Sequence, residues 1–126
     1  MNAHQRAYIA AKAQYDVISA EYAASDRIFD AAYESAGEPD DFKAFYASWA
    51  AQNPAQAADA QRLNAEQNAA LVVLESATDA LLAWCLAGAL AAAKTDEDRD
   101  AVRFVIGSKR PHVREKAIGL AMRLAA

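Results

Sequence analysis

Cysteine, glycine and proline are scarce in this chain, and each shortage removes a class of structure. The single cysteine, Cys85, excludes an internal disulfide and a cysteine-rich metal site, and it suits a reducing compartment, so we expect a cytoplasmic protein. Four widely spaced glycines cannot form a phosphate-binding loop or a dinucleotide fingerprint. The three prolines are found with Gly37 and Gly107 where breaks between helices are expected.

Long hydrophobic runs are also missing. Residues 1–16 are interrupted by polar and charged side chains and contain no signal-peptide core. The longest uncharged apolar run, Ala80 to Ala93, has 14 residues, and extending it toward the N-terminus adds Asp79 and Glu75. A membrane-spanning helix needs about 20 residues. We therefore predict that this run belongs to a buried helix and that the protein has no membrane contact.

Alanine is abundant, in a composition that is 55% hydrophobic and 24% charged. Alanine is the best helix former, and a chain of 126 residues suits one domain with one core. The sequence therefore predicts a single all-α domain over residues 1–126, an elongated bundle of four to five helices. The predicted helices cover about 5–33, 41–52, 54–94, 96–106 and 111–125.

The first and third helices carry heptad patterns that complement each other. On the first helix, one seam position is aromatic and the other is mostly small: Tyr8, Tyr15, Tyr22 and Phe29, then Ala11, Ile18, Ser25 and Ala32. On the third helix, small residues dominate: Ala60, Gln67, Leu74, Leu81 and Gly88, then Leu63, Ala70, Ala77, Trp84 and Ala91. Rings packed over small residues predict a coiled-coil-like antiparallel pair that frames the bundle.

Capping residues mark several helix ends. Gly37 suits the C-terminal cap of the first helix. Asn53 resembles the N-cap of the third helix, with Gln56 as its capping-box partner. Thr95 and Asp98 resemble the same arrangement at the start of the fourth helix.

The chain contains no residue pattern typical of catalysis. Neither His4 nor His112 follows a carboxylate by three residues, as the metal ligands of helical bundles do. Cys85 has no polar neighbour in sequence, which is typical of a buried, inert thiol. Glu75 and Asp79 are expected to form the wetted strip of a mostly buried helix. We therefore predict no enzymatic activity, no bound metal and no cofactor.

The short second helix concentrates aromatic residues on one stripe. They are Phe42, Phe45, Tyr46 and Trp49. One interpretation is a partner-binding face with Trp49 as its anchor, because aromatic residues dominate interface energies. The other interpretation is a lid over the core of the long helices.

Charge is distributed unevenly along the chain. Residues 99–126 contain seven Lys and Arg against two acids, a net charge of +5, whereas residues 1–98 carry −9. The basic turn, residues 107–112, precedes a helix N-terminus whose free amides favour anions. An anion or nucleic-acid contact is therefore predicted through Arg103, Lys109, Arg110, His112, Arg114 and Lys116. Alternatively, these cations pair with the acidic part of the same chain or of a second subunit.

Taken as a whole, the sequence predicts a non-catalytic interaction protein, a small helical regulator, adaptor or inhibitor that binds another protein. Apolar residues outside the seam of the third helix, including Leu71, Val72 and Val73, predict a homodimer. The alternative is a nucleic-acid-binding regulator that uses the helix pair in residues 99–126. The acidic isoelectric point near 5.1 argues against that alternative.

Overall fold

Five helices form the computed structural model, which describes residues 1–124. They are α1 (Ala3–Ser35), α2 (Phe42–Gln52), α3 (Pro54–Ala92), α4 (Asp96–Ile106) and α5 (Pro111–Arg123). Helix accounts for 86% of this part of the chain and no strand occurs in it, so the predicted all-α class is confirmed. The observed helix ends differ from the predicted ones by at most two residues. Residue 125, the predicted end of the last helix, lies outside the described residues.

Local capping explains where α1 ends and where α4 begins. Gly37 adopts a left-handed backbone (φ 82°), and its N–H and that of the next residue donate to carbonyls in the last turn of α1. This is a Schellman motif, which favours glycine because a side chain strains a left-handed backbone. Thr95 accepts a hydrogen bond of 3.0 Å from the N–H of Asp98, as its N-cap position predicts.

Asn53 lies at the N-cap position of α3, as predicted, but its side chain caps the end of α2. Its backbone N–H and its side-chain Nδ2 both donate to the carbonyl oxygen of Trp49, at 2.8 and 2.9 Å, so its side chain caps the end of α2. Helix α3 then begins at Pro54. The carbonyl oxygen of Asn53 accepts a hydrogen bond of 3.0 Å from the N–H of Ala57 in the first turn of α3, while its side-chain amide donates to an orphan carbonyl of α2 instead of capping α3.

The chain divides into two compact units, and both long helices contribute to each. The aromatic unit is continuous in sequence, Ala13–Leu71. The clasp unit combines Met1–Lys12 with Val72–Ala126. The single domain, the elongated bundle and the antiparallel frame over the whole length of the long helices stay predictions.

In the aromatic unit, α1 and α3 lie side by side and run in opposite directions. Gln67 donates a hydrogen bond of 3.1 Å to the hydroxyl of Ser19, and further along α1 Phe29 shares a groove with Ala60 of α3. The predicted seam positions of both helices in this unit are all buried or half-buried. On the outer face of α1, Val17 is 55% exposed. The burial pattern therefore follows the heptads here.

The core of the clasp unit consists mainly of small and aliphatic side chains. Its buried members are Leu81, Leu82, Cys85, Ile106, Ala117 and Ala121. Gly88 and Ala91, predicted to continue the α3 seam, are exposed. The predicted register fails there because the core meets α3 on the face that carries Leu82 and Cys85. Gly88 does not mark a close helix crossing, since an added Cβ would meet nothing within 4 Å.

Gln5 joins the first and last helices of the clasp unit, and only 1% of its surface is exposed. At the start of α1, the N–H of Asn2 donates to Gln5 Oε1 and the N–H of Gln5 donates to Asn2 Oδ1, both at 2.9 Å. Gln5 Nε2 also donates to the carbonyl oxygens of Ala121 and Leu124, each at 2.9 Å. One side chain, here called the Gln5 clasp, therefore serves two helix ends.

Among the described residues one helix, α3, is long and apolar enough to cross a membrane by length and composition alone. The uncharged run considered in the sequence begins after Asp79, and by itself it is too short to cross a membrane. The most apolar window of α3 is 18 residues long, and 28% of that window is buried inside the structure. Core helices of soluble proteins can have the same composition, so the property does not by itself indicate a membrane protein.

Candidate protein-binding groove and basic turn

The aromatic residues of α2 pack around one phenylalanine of α1. The ring centroid of Phe29 lies 5.5 Å from that of Phe42, 5.8 Å from Phe45, 5.3 Å from Tyr46 and 5.1 Å from Trp49. Three of these contacts are edge-to-face, the geometry that aromatic quadrupoles favour. The structure therefore brings the four predicted partner-binding residues together over the seam of α1.

The four rings differ in exposure. Trp49 is 9% exposed, Phe45 and Tyr46 are half-buried, and Phe42 is 50% exposed. The position of Trp49 fits the lid interpretation, because most of its surface already packs inside the aromatic unit. The position of Phe42 fits the binding-face interpretation, because half of its surface remains accessible to a partner.

Next to this cluster lies a groove of about 370 Å³, here called the aromatic groove. Its apolar lining residues are Phe29, Phe42, Tyr46, Trp49 and Ala60. Its other lining residues carry polar groups: Tyr22, Ser25, Asp26, Gln61 and Asn64. An apolar pocket with a few polar groups that fix orientation is the usual composition of a binding site.

Sequence reasoning missed part of this groove. Phe29 was assigned to the helix seam, and Asp26, Gln61 and Asn64 were not singled out. One signal was available, since Tyr22, Asp26 and Phe29 are spaced by four and three residues and share a face of α1. A carboxylate on an aromatic face indicates that water or a partner reaches that face. For Gln61 and Asn64 no such signal exists.

The aromatic unit is strongly acidic. Residues 13–71 contain ten Asp and Glu against three Lys and Arg, a formal charge of −7. Asp26 places one of these carboxylates in the lining of the aromatic groove. A negative surface around an apolar groove favours positively charged partners and speeds their association.

Three of the six predicted anion-binding residues lie beside carboxylates of their own chain. Arg114 of α5 forms an ion pair with Asp79 of α3. Lys109 lines a surface hollow with the same two side chains and Glu75. Arg103 pairs with the carboxylate three residues before it on α4, at 3.5 Å. For these cations the geometry agrees with the self-pairing interpretation.

The other three predicted anion-binding residues, Arg110, His112 and Lys116, are exposed. Arg110 is the N-cap residue of α5 and makes no side-chain capping bond, and Pro111 follows it at the first helical position. The free amides of this helix end add a partial positive charge. An anion can therefore approach this part of the basic turn.

The nucleophilic and metal-binding side chains of the described chain have ordinary structural surroundings. Cys85 is 1% exposed, and burial raises the pKa of its thiol, which makes the thiolate nucleophile scarce. The ring of His4 stacks on Trp84 with 6.3 Å between centroids. Between residues 1 and 124, no group of three or more His, Cys, Asp or Glu side chains is placed to hold a metal ion.

Comparisons of this chain with protein-family models, with characterised proteins and with solved structures give no match. Inference about function therefore depends on the geometry and charge described above.

Proposed function

We propose that this chain is a non-catalytic interaction protein that binds a segment of another protein in the aromatic groove. The observation that carries the proposal is the half-exposed ring of Phe42 in a groove that also contains the Asp26 carboxylate. Water-exposed aromatic surface is unfavourable, and a partner that covers it gains free energy. A regulator, an adaptor and an inhibitor would each use such a groove.

The groove defines the chemistry of the partner segment. A volume of about 370 Å³ suits one or two large apolar side chains. Asp26 and the net charge of −7 favour a Lys or Arg next to those apolar residues. The wall is preorganised because Phe29 holds Tyr46 and Trp49 by ring contacts, so binding orders few side chains.

The cytoplasm is the proposed location, because the single cysteine is free and buried, and a chain that needs no disulfide suits a reducing compartment. We propose no membrane span for α3. Glu75 and Asp79 interrupt it, and Asp79 pairs with Arg114 of α5. Flotation with liposomes tests this point, and we expect the protein to stay in the unbound fraction.

A nucleic-acid-binding regulator is the second candidate, supported by the exposed side chains of Arg110, His112 and Lys116. Contact with few phosphates predicts weak binding that falls as salt is added. Fluorescence anisotropy with duplex and single-stranded probes at low salt measures it. Binding that disappears in an Arg110→Ala, Lys116→Ala variant would support this candidate over the groove.

The main experiment captures the partner through the groove itself. A photo-activatable amino acid at position 64, in the groove lining, is cross-linked in an extract of the native cells, and the captured protein is then purified. We expect Phe42→Ala and the groove-filling Gln61→Arg to weaken binding of that protein about tenfold or more. Ile9→Ala is the matched control, since Ile9 is 43% exposed and belongs to the clasp unit.

Two outcomes decide the proposal. Loss of binding in both groove variants, with Ile9→Ala unchanged and all melting temperatures similar, supports it. Equal binding by every variant, or capture that is independent of the position of the photo-activatable residue, contradicts it. Asp26→Asn adds a test of charge, because it should slow association and reduce its dependence on salt.

A further inference from the structure

Helix α4 of the clasp unit carries both a projecting ring and an apolar hollow. Phe104 is 65% exposed, more than any other Phe, Tyr or Trp side chain in residues 1–124. A hollow of about 270 Å³ opens beside it between α3, α4 and α5. Every residue that lines the hollow is apolar: Ala89, Ala101, Val102, Val105, Ile106 and Leu120. Phe104 is not among the residues that line this hollow, so within one chain its ring does not fill it.

A two-fold crossing of two α4 helices would bring the ring of each copy to the hollow of the other. Ala101 and Phe104 are three residues apart, so they share a face of α4. In an antiparallel crossing of two copies centred between these residues, Phe104 of each copy lies over Ala101 of the other, at the hollow. A two-fold interface makes both contacts at once, because the same surface patch is used twice.

Charge along α4 supports the antiparallel direction. Its first turn contains Asp96, Glu97 and Asp98, and its last turn contains Arg103. Lys109 follows in the basic turn. An antiparallel crossing places the acidic end of one α4 next to the basic end of the other, whereas a parallel crossing places like charges together. The dipoles of two antiparallel helices also attract each other.

We propose that a second copy of this chain docks on α4, forming a two-fold dimer in which Phe104 of each copy fills the hollow of the other. The contact uses no residue of the aromatic groove, so it stands independently of the proposed partner site. Sequence reasoning expected self-association through Leu71, Val72 and Val73 of α3. Helix α4 is the better site because it combines ring, hollow and complementary charge.

Sedimentation velocity over a wide range of concentration tests the dimer. We expect dimers of the wild-type chain and a dissociation constant about tenfold higher or more for Phe104→Ala. Ile28→Ala is the control, a truncation of a 54% exposed apolar side chain in the aromatic unit, outside the aromatic groove, and should leave dimerisation unchanged. Circular dichroism should show that Phe104→Ala folds, because its side chain is mostly exposed in the single chain.

Cross-linking tests the geometry. A short bis-maleimide should link Ala101→Cys chains into covalent dimers. The control is Ala58→Cys, which is exposed on α3 of the aromatic unit and should form no cross-linked dimer. The native Cys85 is buried and contributes little background. Glu97→Lys should weaken the dimer. A wild type that stays monomeric at about 1 mM overturns the proposal. So does equal cross-linking at both positions, or a dimer that Phe104→Ala leaves intact.

Discussion

The two units of this protein are stabilised by different kinds of side chain. In the aromatic unit six rings of α1 and α2 contact one another, yet Trp49 alone among them is buried. In the clasp unit Leu81, Ala117 and Ala121 are 0% exposed, and the amide of Gln5 is buried among helix ends. Large side chains therefore do not mark the most completely buried core. The rings stabilise one another while Phe42 stays half exposed, whereas Leu81, Ala117 and Ala121 at the centre of the clasp unit are completely covered.

Removing the central ring is the strongest test of the aromatic unit. Phe29→Ala should lower the free energy of unfolding by about 4 kcal/mol, because four rings of α2 lose their common contact. Hydrogen exchange should accelerate first within residues 13–71. Val17→Ala, on the exposed face of the same helix, should change stability by about 0.5 kcal/mol or less. Equal protection of the two units from hydrogen exchange in Phe29→Ala would contradict the proposed difference between them.

The Gln5 clasp gives the corresponding test of the other unit. Gln5→Ala should cost about 2 kcal/mol, because it leaves the carbonyls of Ala121 and Leu124 without their donor. Urea unfolding measures this loss, and hydrogen exchange at the end of α5 locates it. The exposed Gln14 on the same helix provides the control, and Gln14→Ala should be nearly neutral. A neutral Gln5→Ala would mean that apolar packing alone holds the clasp unit.

Two glycines of the clasp unit should respond to alanine with opposite signs. At Gly107 an added Cβ would lie 2.7 Å from the carbonyl oxygen of Arg103, so Gly107→Ala should cost about 1–2 kcal/mol. At Gly88 the space is open and the backbone is helical, so Gly88→Ala should stabilise by about 0.5–1 kcal/mol. Thermal melting of both variants measures the difference. A loss of stability at both positions would show that the exposed end of α3 is packed more tightly than its burial indicates.

The smallest expected effect concerns pH. Burial raises the pKa of the Cys85 thiol above its ordinary value of 9.0, so the folded chain keeps a proton that the unfolded chain releases. The resulting stability is fully present below that ordinary value and is lost as pH rises through the folded pKa. Urea unfolding at about pH 8 and about pH 10 measures this effect. Between these two pH values, the free energy of unfolding should fall less for Cys85→Ala than for the wild type. An equal fall in the free energy of unfolding for both chains would mean that water reaches the thiol in the folded chain.

Much of the local structure could be predicted from sequence because its causes lie within one helical turn. Gly37 and Thr95 fix helix ends through hydrogen bonds to residues three to five positions away. The heptads of α1 and α3 likewise match burial in the aromatic unit. The stripe of α2 was also visible, although its division into a buried Trp49 and an accessible Phe42 was not.

Features that depend on how helices rotate against each other were not predictable. The change of buried face on α3 after Trp84 depends on the positions of α4 and α5. The pair between Asp79 and Arg114 joins residues 35 positions apart, and no local pattern selects one carboxylate from many. The spacing between Asn2 and Gln5 indicates a capping box at the start of α1. No neighbouring residue indicates that the Gln5 side chain also donates to carbonyl oxygens of α5.

The Gln5 clasp also imposes an order in time. Gln5 and Ala121 are separated by 116 positions, so the bond between them cannot form until nearly all of this sequence has left the ribosome. The aromatic unit, continuous over Ala13–Leu71, has no such requirement and is complete much earlier in synthesis. Until α5 emerges, Leu82 and Cys85 stay uncovered on α3. During translation, the apolar face of α3 that is most deeply buried in the folded chain is therefore the last part of the core to be covered.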